Sequence, residues 1–241
     1  MEKGSMLYEG KAKRIYATDQ EDVVLISYKD SATAFNGEKK AELAGKGRLN
    51  NEISSFIFLK LKELNIPSHF IEQLSEHEQL VKHVTIIPLE VVTRNAAAGS
   101  LAKRFGLEEG KVFDQPIVEF YFKDDKLGDP LLTEDHIQLL KIASKEEVAE
   151  MKKQALAINE ALLSIFADMD IDLIDFKIEF GKDKDGAIVL ADEISPDTCR
   201  LWEKKTNRKL DKDVFRRDLG NLVEAYKEVF KRLGGNQTCI K

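Results

Sequence analysis

The sequence is poor in the residues that build covalent or metal-bound frameworks. Its 241 residues include two cysteines, Cys199 and Cys239, and four histidines that share no spacing. Two such thiols make neither a disulfide framework nor a zinc-binding spacing, which favours a reducing, cytoplasmic setting. A Gly-x-Ser-x-Gly nucleophile motif is missing, and no histidine lies at a sequence spacing from Cys199 that would indicate a catalytic pair. Covalent catalysis by the protein therefore has no support.

Long apolar runs are also missing. No stretch approaches the roughly 20 apolar residues that a membrane helix needs, and the charged first residues lack the apolar run of a signal peptide. The net charge is -6, so nucleic acid would not be held by bulk charge, because phosphate contacts need clustered lysine and arginine. We expect no membrane and no nucleic-acid partner, and any phosphate must be bound by a local site.

Strand and helix patterns are mixed along the chain without regular alternation. Short strand patterns dominate the first third, at 7–8, 15–16 and 23–28. Helical patterns cover about 38–64, the stretch after Ser144, and the end of the chain from Asp213. Ser144 is a predicted N-cap, with Glu147 in the capping-box position. This mixture predicts an α+β fold rather than a doubly wound sheet.

The chain is long enough for two lobes. A length of 241 residues with 43% hydrophobic content allows one large core or two lobes with a cleft between them. Pro88 interrupts a strand pattern, and since proline cannot donate to a β-ladder, we expect a bend between lobes there. Residues 1–88 would form a β-rich N-terminal lobe, residues 89–234 a larger α+β lobe, and residues 235–241 a flexible tail.

A glycine turn with several cations lies between the first two strand patterns. It reads Glu-Gly-Lys-Ala-Lys-Arg over residues 9–14. Gly10 permits close approach of the backbone, and Lys11 and Lys13 supply charge, as binding of a triphosphate requires. With a single glycine, the motif is neither a Walker loop nor a Gly-x-Gly-x-x-Gly. A solvated basic turn is the alternative.

Residues 174–180 form a strand pattern whose charged residues share one face. Alternation places the apolar side chains on one face and Asp175, Lys177 and Glu179 on the other. Carboxylates on one face repel each other unless a cation lies among them, and Mg²⁺ typically takes one or two carboxylates plus phosphates and waters. Lys177 could instead neutralise a carboxylate or hold an anionic substrate. A solvated face with weak cross-strand ion pairs is the alternative.

The following strand decides which further carboxylate joins this face. If the hairpin pairs Phe180 with Ala187, Asp192 lies on the charged face, whereas a slip of one residue brings Glu193 there instead. The first register also places two apolar side chains beside the charges, as in a cleft wall: Ile188 and Leu190.

Two further segments could bind a phosphate. Ser-Pro-Asp at 195–197 is a turn-forming sequence that lies shortly before Arg200. Arginine binds carboxylate or phosphate through two parallel hydrogen bonds. After Arg94, a loop of small residues leads to Ser100, a predicted N-cap of a short helix, where free N–H groups favour phosphate. An ordinary turn and an ordinary cap are the alternatives.

Together these motifs resemble those of the SAICAR synthetase family, the phosphoribosylaminoimidazole-succinocarboxamide synthases, in their bacterial single-function form. The matching segments run in family order from residue 7 to about residue 234. They are 7–13, 46–51, 94–95 with 99–100, 175–181, and 192–197 with 200–202.

The resemblance implies an ATP- and Mg²⁺-dependent ligase. Members of the family join L-aspartate to the carboxylate of carboxyaminoimidazole ribotide and give SAICAR, ADP and phosphate in purine biosynthesis. The resemblance implies a kinase-like β-rich N-terminal lobe and a larger α+β lobe with ATP between them. The family is often dimeric, so a homodimer is an expectation that the sequence itself does not establish. A small-molecule kinase that uses the same ATP and Mg²⁺ site is the alternative, and a non-catalytic nucleotide sensor is another.

The resemblance also assigns roles to residues. Along the ATP phosphates it implies the turn and one lysine on the opposite side: Gly10, Lys11, Ala12, Lys13 and Lys123. For the ribotide it implies Arg94, Ser100, Lys177, Arg200, Asp175 and Asp197. For Mg²⁺ it implies Glu179 and Asp192, which selects the first hairpin register. Lys177, near the ribotide carboxylate, is also the expected catalytic residue. The resemblance assigns no residues to the site for L-aspartate, and the loop at 31–37 is one candidate.

Overall fold

The N-terminal part of the structure is an antiparallel sheet. The structure is a computed structural model that describes residues 2–235 of the chain. The first elements are β1 Met6–Glu9, β2 Lys13–Ala17, β3 Val23–Tyr28, β4 Ser31–Ala34, β5 Lys39–Glu42, α1 Lys46–Glu63, β6 Phe70–Gln73 and β7 Glu78–Lys82. Within the described range, the sheet has the order β1-β2-β3-β7-β6, and β4 and β5 form a separate hairpin.

The C-terminal part is a second antiparallel sheet with helices. Its elements are β8 Thr85–Ala96, α2 Gly99–Phe105, β9 Val112–Phe122, β10 Leu131–Leu132, α3 Glu134–Leu139, α4 Lys145–Ala167, β11 Ile171–Lys182, β12 Ile188–Ala191, β13 Cys199–Glu203, α5 Asp213–Arg216 and α6 Leu222–Arg232. The sheet has the order β10-β9-β8-β11-β12, and β13 pairs with the first half of β11. The fold is therefore α+β with two lobes, as predicted.

The main core lies between the second sheet and the helices. Phe176, Ile178 and Phe180 of β11 are fully buried on the face that α4 covers. The predicted capping box at the start of α4 is confirmed, because Ser144 and Glu147 bond each other's backbone N–H groups. Among residues 2–235, no helix combines the length and the apolar character needed to cross a bilayer.

The helix predicted over 38–64 is wrong in its first third. Residues 39–42 pair with 31–34 as the hairpin β4–β5, and α1 begins only at Lys46. Gly45 adopts a φ of 86°, which separates the strand from the helix. The carboxylate of Asp30 accepts hydrogen bonds from the backbone N–H groups of Gly45 and Gly47. Part of the capping at this helix start therefore comes from a preceding turn, which a local pattern does not reveal.

The strand does not break at Pro88 as predicted. β8 runs through this proline from Thr85 to Ala96. The ladder with β11 is irregular between Glu179 and Gly181, opposite this part of β8, so no N–H donor is needed there. The sheets change between β7 and β8, shortly before Pro88, and the lobe boundary at residue 88 stays a prediction. The tail expected at 235–241 lies outside the described residues from 236 onward.

The C-terminal helix predicted from Asp213 is two helices. α5 ends at Arg216, and α6 starts after Asn221, whose side chain accepts hydrogen bonds from two N–H groups of its first turn. Gly220, with a φ of 139°, lies in the connection. Asp213 is not a cap; its carboxylate accepts hydrogen bonds from Arg200 and Arg216 instead.

The hairpin β11–β12 pairs in a different register from the predicted one. Phe180 lies opposite Leu190, not Ala187. The carboxylate of Asp183 accepts the N–H groups of residues 185 and 187, which closes the loop before β12 begins. Leu190 is fully buried in the core, so the prediction that it flanks the charges together with Ile188 is wrong.

Candidate functional site

All the sequence-predicted site residues line one cavity between the two sheets. Its volume is about 1140 Å³. The walls are the glycine turn at 10–13, the outward faces of β8, β9 and β11, and the segment 192–200. A cavity of about 1130 Å³ beside α6 contains none of the predicted residues. The tertiary structure therefore gathers in one place motifs that lie far apart in sequence.

One end of the cavity is built from lysines and carboxylates. We call it the lysine cluster: Lys13, Lys123 and Lys177 with Glu90, Glu179, Asp192 and Glu193. The Lys177 ammonium donates to Glu179 Oε1 at 2.9 Å and to Glu90 Oε1 at 3.1 Å. It lies 3.7 Å from Asp192 Oδ2. Alternation along β11 thus places Lys177 and Glu179 together, as predicted, within reach of a carboxylate from the end of β12.

The other two lysines of the lysine cluster come from β2 and from the residue after β9. Lys13 of β2 donates to Asp192, and its Nζ lies 3.1 Å from Glu193 Oε1. Lys123, next to the end of β9, donates to Glu179. Lys13 therefore reaches Asp192 and Glu193 from the first sheet, and Lys123 reaches Glu179 from the end of β9. The arrangement could accept a polyphosphate between them.

Asp192 joins the charged face by a route that strand pairing did not predict. β12 ends at Ala191, and Asp192 has a φ of 62°, which turns the backbone out of the ladder. Its side chain is 17% exposed toward the cavity, whereas that of Glu193 is 4% exposed and accepts a hydrogen bond from Ser195 Oγ at 2.6 Å. The structure thus separates the two alternatives: Asp192 faces the cavity, and Glu193 supports it from behind.

The charges of the lysine cluster hold one another in the ionised form. Burial alone would lower the pKa of Lys177, but Glu179, Asp192 and Glu90 raise it well above its ordinary value. Burial would likewise raise the pKa of Asp192, but Lys13 and Lys177 keep it well below the usual range. At neutral pH the cavity therefore presents charged ammonium groups beside an ionised carboxylate.

The donor set fits a magnesium ion that draws further ligands from a nucleotide. Glu179 and Asp192 come from adjoining strands and share Lys177 as a neighbour. In the part of the chain that the structure describes, no group of three or more His, Cys, Asp or Glu side chains is arranged to hold a metal. Mg²⁺ is commonly bound through one or two carboxylates plus substrate phosphates and waters. Two carboxylates in a cavity lined by lysines match that preference.

The opposite end of the cavity is built from arginines. We call it the arginine network: Arg94, Arg200 and Arg216 with Glu119, Asp175 and Asp213. Arg94 Nη1 donates to Asp175 Oδ2 at 2.7 Å, and Arg200 Nη1 donates to the same oxygen at 2.8 Å. Asp213 bonds Arg200 Nε at 3.0 Å. Asp175 and Asp213 are each shared by two of these arginines, and Glu119 is shared by Arg94 and Arg104. Four guanidinium groups therefore face three carboxylates, and an anion added here would meet net positive charge.

Ser100 and Gly99 complete the arginine end. The prediction that Ser100 is the N-cap is wrong, because Ala98 holds that position and α2 starts at Gly99. The Ser100 hydroxyl instead accepts a hydrogen bond from Arg94 Nη2 at 3.4 Å. Gly99 has a φ of 53°, and a Cβ there would collide with the Arg200 guanidinium. Only glycine leaves room for Arg200 at this point.

Lys11 and Asp197 take different positions. Lys11 lies at the cavity mouth, where it donates to Asp125 at 2.7 Å, and both side chains are exposed. The Asp197 side chain is 5% exposed, and it accepts a hydrogen bond from the buried ammonium group of Lys46. Lys11 is therefore free to exchange its partner, while Asp197 is already engaged inside the protein.

Comparisons with known proteins agree on one family. A model of the SAICAR synthetase family matches residues 6–233. The phosphoribosylaminoimidazole-succinocarboxamide synthase of Bacillus cereus strain G9842 is 65% identical over 235 residues, which is 98% of each chain. The chain belongs to the SAICAR synthetase family.

Solved SAICAR synthetase structures share the fold closely. The synthase from Ehrlichia chaffeensis is 49% identical with a TM-score of 0.93, covering 95% of this chain and 98% of that one. A type-2 SAICAR synthetase in complex with ADP is also 49% identical with a TM-score of 0.93, covering 97% and 99%.

Sequence reasoning missed the apolar part of this SAICAR synthetase cavity. We call it the apolar pocket: Ile15, Val24, Ile26, Val81, Val84 and Ile86. These side chains line the cavity at the junction of the two sheets. The run of apolar residues at 23–26, all buried, was an available signal, because a strand without alternation is covered on both faces.

Proposed function

We propose that this chain joins L-aspartate to the carboxylate of carboxyaminoimidazole ribotide, with ATP converted to ADP and phosphate, in purine biosynthesis. One observation carries the proposal: the lysine cluster and the arginine network meet on the same strand. On the cavity face of β11, Lys177 lies between Asp175 of the network and Glu179 of the cluster. A phosphate donor bound at one end and a carboxylate acceptor bound at the other would meet at Lys177.

ATP would lie between the glycine turn and Lys123. The turn is closed by a hydrogen bond from Gly10 N to Lys13 O of 2.8 Å, and it projects Lys11 and Lys13 at the cavity. Ammonium groups on both sides would neutralise the charge that develops during phosphoryl transfer. The apolar pocket would take the adenine ring, since its walls are apolar side chains from both sheets.

Glu179 and Asp192 would hold Mg²⁺. When bound, the ion supplies positive charge to the phosphate oxygens and fixes their orientation. Lys123 and Lys13, which contact these two carboxylates, would turn to the phosphates that arrive with the metal.

The ribotide phosphate would bind at the arginine network. Arg94, Ser100 and Arg200 surround that end of the cavity, and Asp175 orients both guanidinium groups. Lys177 would then lie near the carboxylate of the ribotide and balance its charge. Asp197 also lines the cavity, and the family resemblance assigns it to the ribotide with them.

The chemistry requires activation of that carboxylate, because an amide does not form from a carboxylate and an amine in neutral water. A carboxylate oxygen would attack the γ-phosphorus, and the bond to the β-phosphate oxygen would break, releasing ADP. The aspartate amine would attack the acyl carbon, phosphate would leave with the electron pair of the C–O bond, and the amine would lose a proton. Exclusion of water would protect the acyl phosphate from hydrolysis.

We place L-aspartate beside the hairpin β4–β5, in keeping with the loop suggested by the sequence. Thr33, Ala34, Phe35 and Gly37 line the cavity. The low cysteine content supports a cytoplasmic enzyme. A homodimer is proposed from the family resemblance, and light scattering of the purified chain would test it.

A product assay tests the proposed function. The purified chain is incubated with ATP, Mg²⁺, L-aspartate and carboxyaminoimidazole ribotide, and ADP and SAICAR are quantified by chromatography. We expect equal amounts of both products and no SAICAR when aspartate is omitted. ADP formation with a stable phosphorylated product and no need for aspartate would indicate a small-molecule kinase instead.

A further inference from the structure

The first residue of α1 is a charged side chain buried completely. Lys46 is 0% exposed, and its Nζ donates to Asp197 Oδ2 at 2.6 Å. The other oxygen of Asp197 accepts a hydrogen bond from the Tyr226 hydroxyl at 2.5 Å. A buried ammonium group is costly unless it is paired, and this one is paired with a single carboxylate. Lys46 belongs to a motif at 46–51 that the proposed chemistry does not use, and it does not line the cavity.

A continuous row of contacts leads from Lys46 to the lysine cluster. Asp197 N donates to Ser195 Oγ at 3.1 Å, and Ser195 Oγ donates to Glu193 Oε2 at 2.6 Å. Glu193 Oε1 lies 3.1 Å from Lys13 Nζ. Every side chain in the row is at least four-fifths buried. A displacement of Asp197 would therefore pass through the turn at 193–197 to Lys13 and to its neighbour Asp192.

The same helix start also holds the glycine turn from the other side. Asp30 accepts the N–H groups of Gly45 and Gly47, and the adjacent Ser31 hydroxyl donates to the carbonyl of Lys11 at 2.6 Å. A Cβ on Gly47 would lie 2.7 Å from the carbonyl oxygen of Lys29, so the helix packs directly on the connection between β3 and β4 that carries Asp30 and Ser31. The first turn of α1 is thus connected to both sides of the lysine cluster.

We propose that Lys46 is a positioning residue for the nucleotide phosphates and their metal, acting through Asp197, Ser195 and Glu193 on Lys13 and Asp192. The inference rests on the proposed function only in assuming that the lysine cluster binds ATP and Mg²⁺. Charge supports it: burial would raise the pKa of Asp197, yet Lys46 and Lys212 keep it well below its ordinary value. Asp197 is therefore an ionised anchor for the turn.

The test compares Lys46→Met with a control on the same helix. Asn51 is also 0% exposed, but its amide donates to the carbonyls of Ser75 and Glu76, away from the turn at 193–197. Affinities for ADP with Mg²⁺ and for the ribotide are measured separately by calorimetry, together with kcat and the thermal midpoint.

We expect Lys46→Met to weaken binding of ADP with Mg²⁺ and to lower kcat, each about tenfold or more, as loss of an outer-shell partner does at metal sites. Ribotide affinity should fall by much less than the affinity for ADP with Mg²⁺, because Arg94 and Arg200 are anchored on Asp175, and Asp197 alone among the proposed ribotide residues contacts Lys46. Asn51→Ala should lower the thermal midpoint but leave both affinities near those of the wild type. Ser195→Ala, a small change in the middle of the row, should reproduce the nucleotide-selective loss if Lys46→Met does not fold.

Unchanged binding of ADP with Mg²⁺ in Lys46→Met, or in Ser195→Ala where the first variant does not fold, would overturn the proposal. An equal loss for nucleotide and ribotide that Asn51→Ala also shows would overturn it as well, since it would mean general destabilisation. The wild type keeps the two hypotheses apart. If it binds ADP with Mg²⁺ but makes no SAICAR, the proposed function fails, while the role of Lys46 is still decided by the binding data.

Discussion

The two ends of the cavity are both ionic, but they are built on different principles. In the arginine network, guanidinium groups with fixed planar geometry share carboxylates with one another and are largely buried. In the lysine cluster, ammonium groups on flexible stems contact several carboxylates each. Arginine is preorganised for bidentate binding, whereas lysine is a movable point charge. One end suits a ligand that is held in place, and the other suits groups that exchange partners during a reaction.

The difference suggests a division of labour on a single strand. β11 contributes Asp175 to the fixed end and Glu179 to the exchangeable end, with Lys177 between them. Substitutions at the arginine end should mainly change binding, and substitutions at the lysine end should mainly change turnover. The following predictions test that division, from the largest expected effect to the smallest.

Glu179→Gln should cause the largest loss of turnover. The substitution keeps the shape of the side chain but removes a charge expected to hold Mg²⁺ and to contact Lys123. We expect kcat to fall by about a thousandfold, the upper end of what loss of one charge-stabilising group costs. Rates of ADP formation at saturating ribotide measure the change. Glu90→Gln, directly across the ladder, should cost at most about tenfold; a larger loss there would mean that the metal site is assigned to the wrong strand.

Arg200→Ala should mainly weaken ribotide binding. Removing one partner of a buried charge pair commonly costs 2–5 kcal/mol, so the KM for the ribotide should rise by about a hundredfold, with a smaller change in kcat. Initial rates over a range of ribotide concentrations give both constants. Arg208→Ala, which removes an exposed ion-paired arginine, is the matched control and should leave the ribotide KM nearly unchanged. A fall in kcat at a constant KM for Arg200→Ala would contradict the division.

Gly99→Ala should give a smaller loss at the same end. Gly99 and Gly106, at the two ends of α2, both have positive φ, but only at Gly99 would a Cβ meet Arg200, while nothing lies within 4 Å of Gly106. Alanine at either position should destabilise the fold by about 1–2 kcal/mol through backbone strain. Only Gly99→Ala should raise the ribotide KM, by about tenfold. Thermal unfolding and steady-state kinetics separate the two effects, and equal KM values in both variants would refute the contact argument.

Asp125→Ala should have the smallest effect. The ion pair with Lys11 is exposed, and such pairs contribute little to stability. Since the substitution releases Lys11 at the cavity mouth, we expect the KM for ATP to fall by no more than about twofold at low salt, with no difference at high salt. A large change in either direction would show that this pair controls access to the lysine cluster.

The sequence predicted which charged residues share the cavity better than it predicted how the backbone brings them there. Alternation along 174–180 correctly placed Lys177 and Glu179 together, and the capping box at Ser144 was confirmed. These features depend on residues two or three positions apart, where backbone geometry is regular. The predicted register of β11 and β12 was wrong because the register depends on the loop closed by Asp183. Asp192 reaches the site only through its positive φ.

By itself, the sequence determined the α+β class, the family and the charged groups that line the cavity, because periodicity and short motifs are local properties of a chain. The tertiary structure alone decided that Glu193 supports Asp192 from inside the protein, that apolar side chains from two sheets form the apolar pocket, and that Lys46 is tied to Asp197 across 151 residues. Contacts of that kind arise where separate elements pack against each other, and no spacing within either element specifies them.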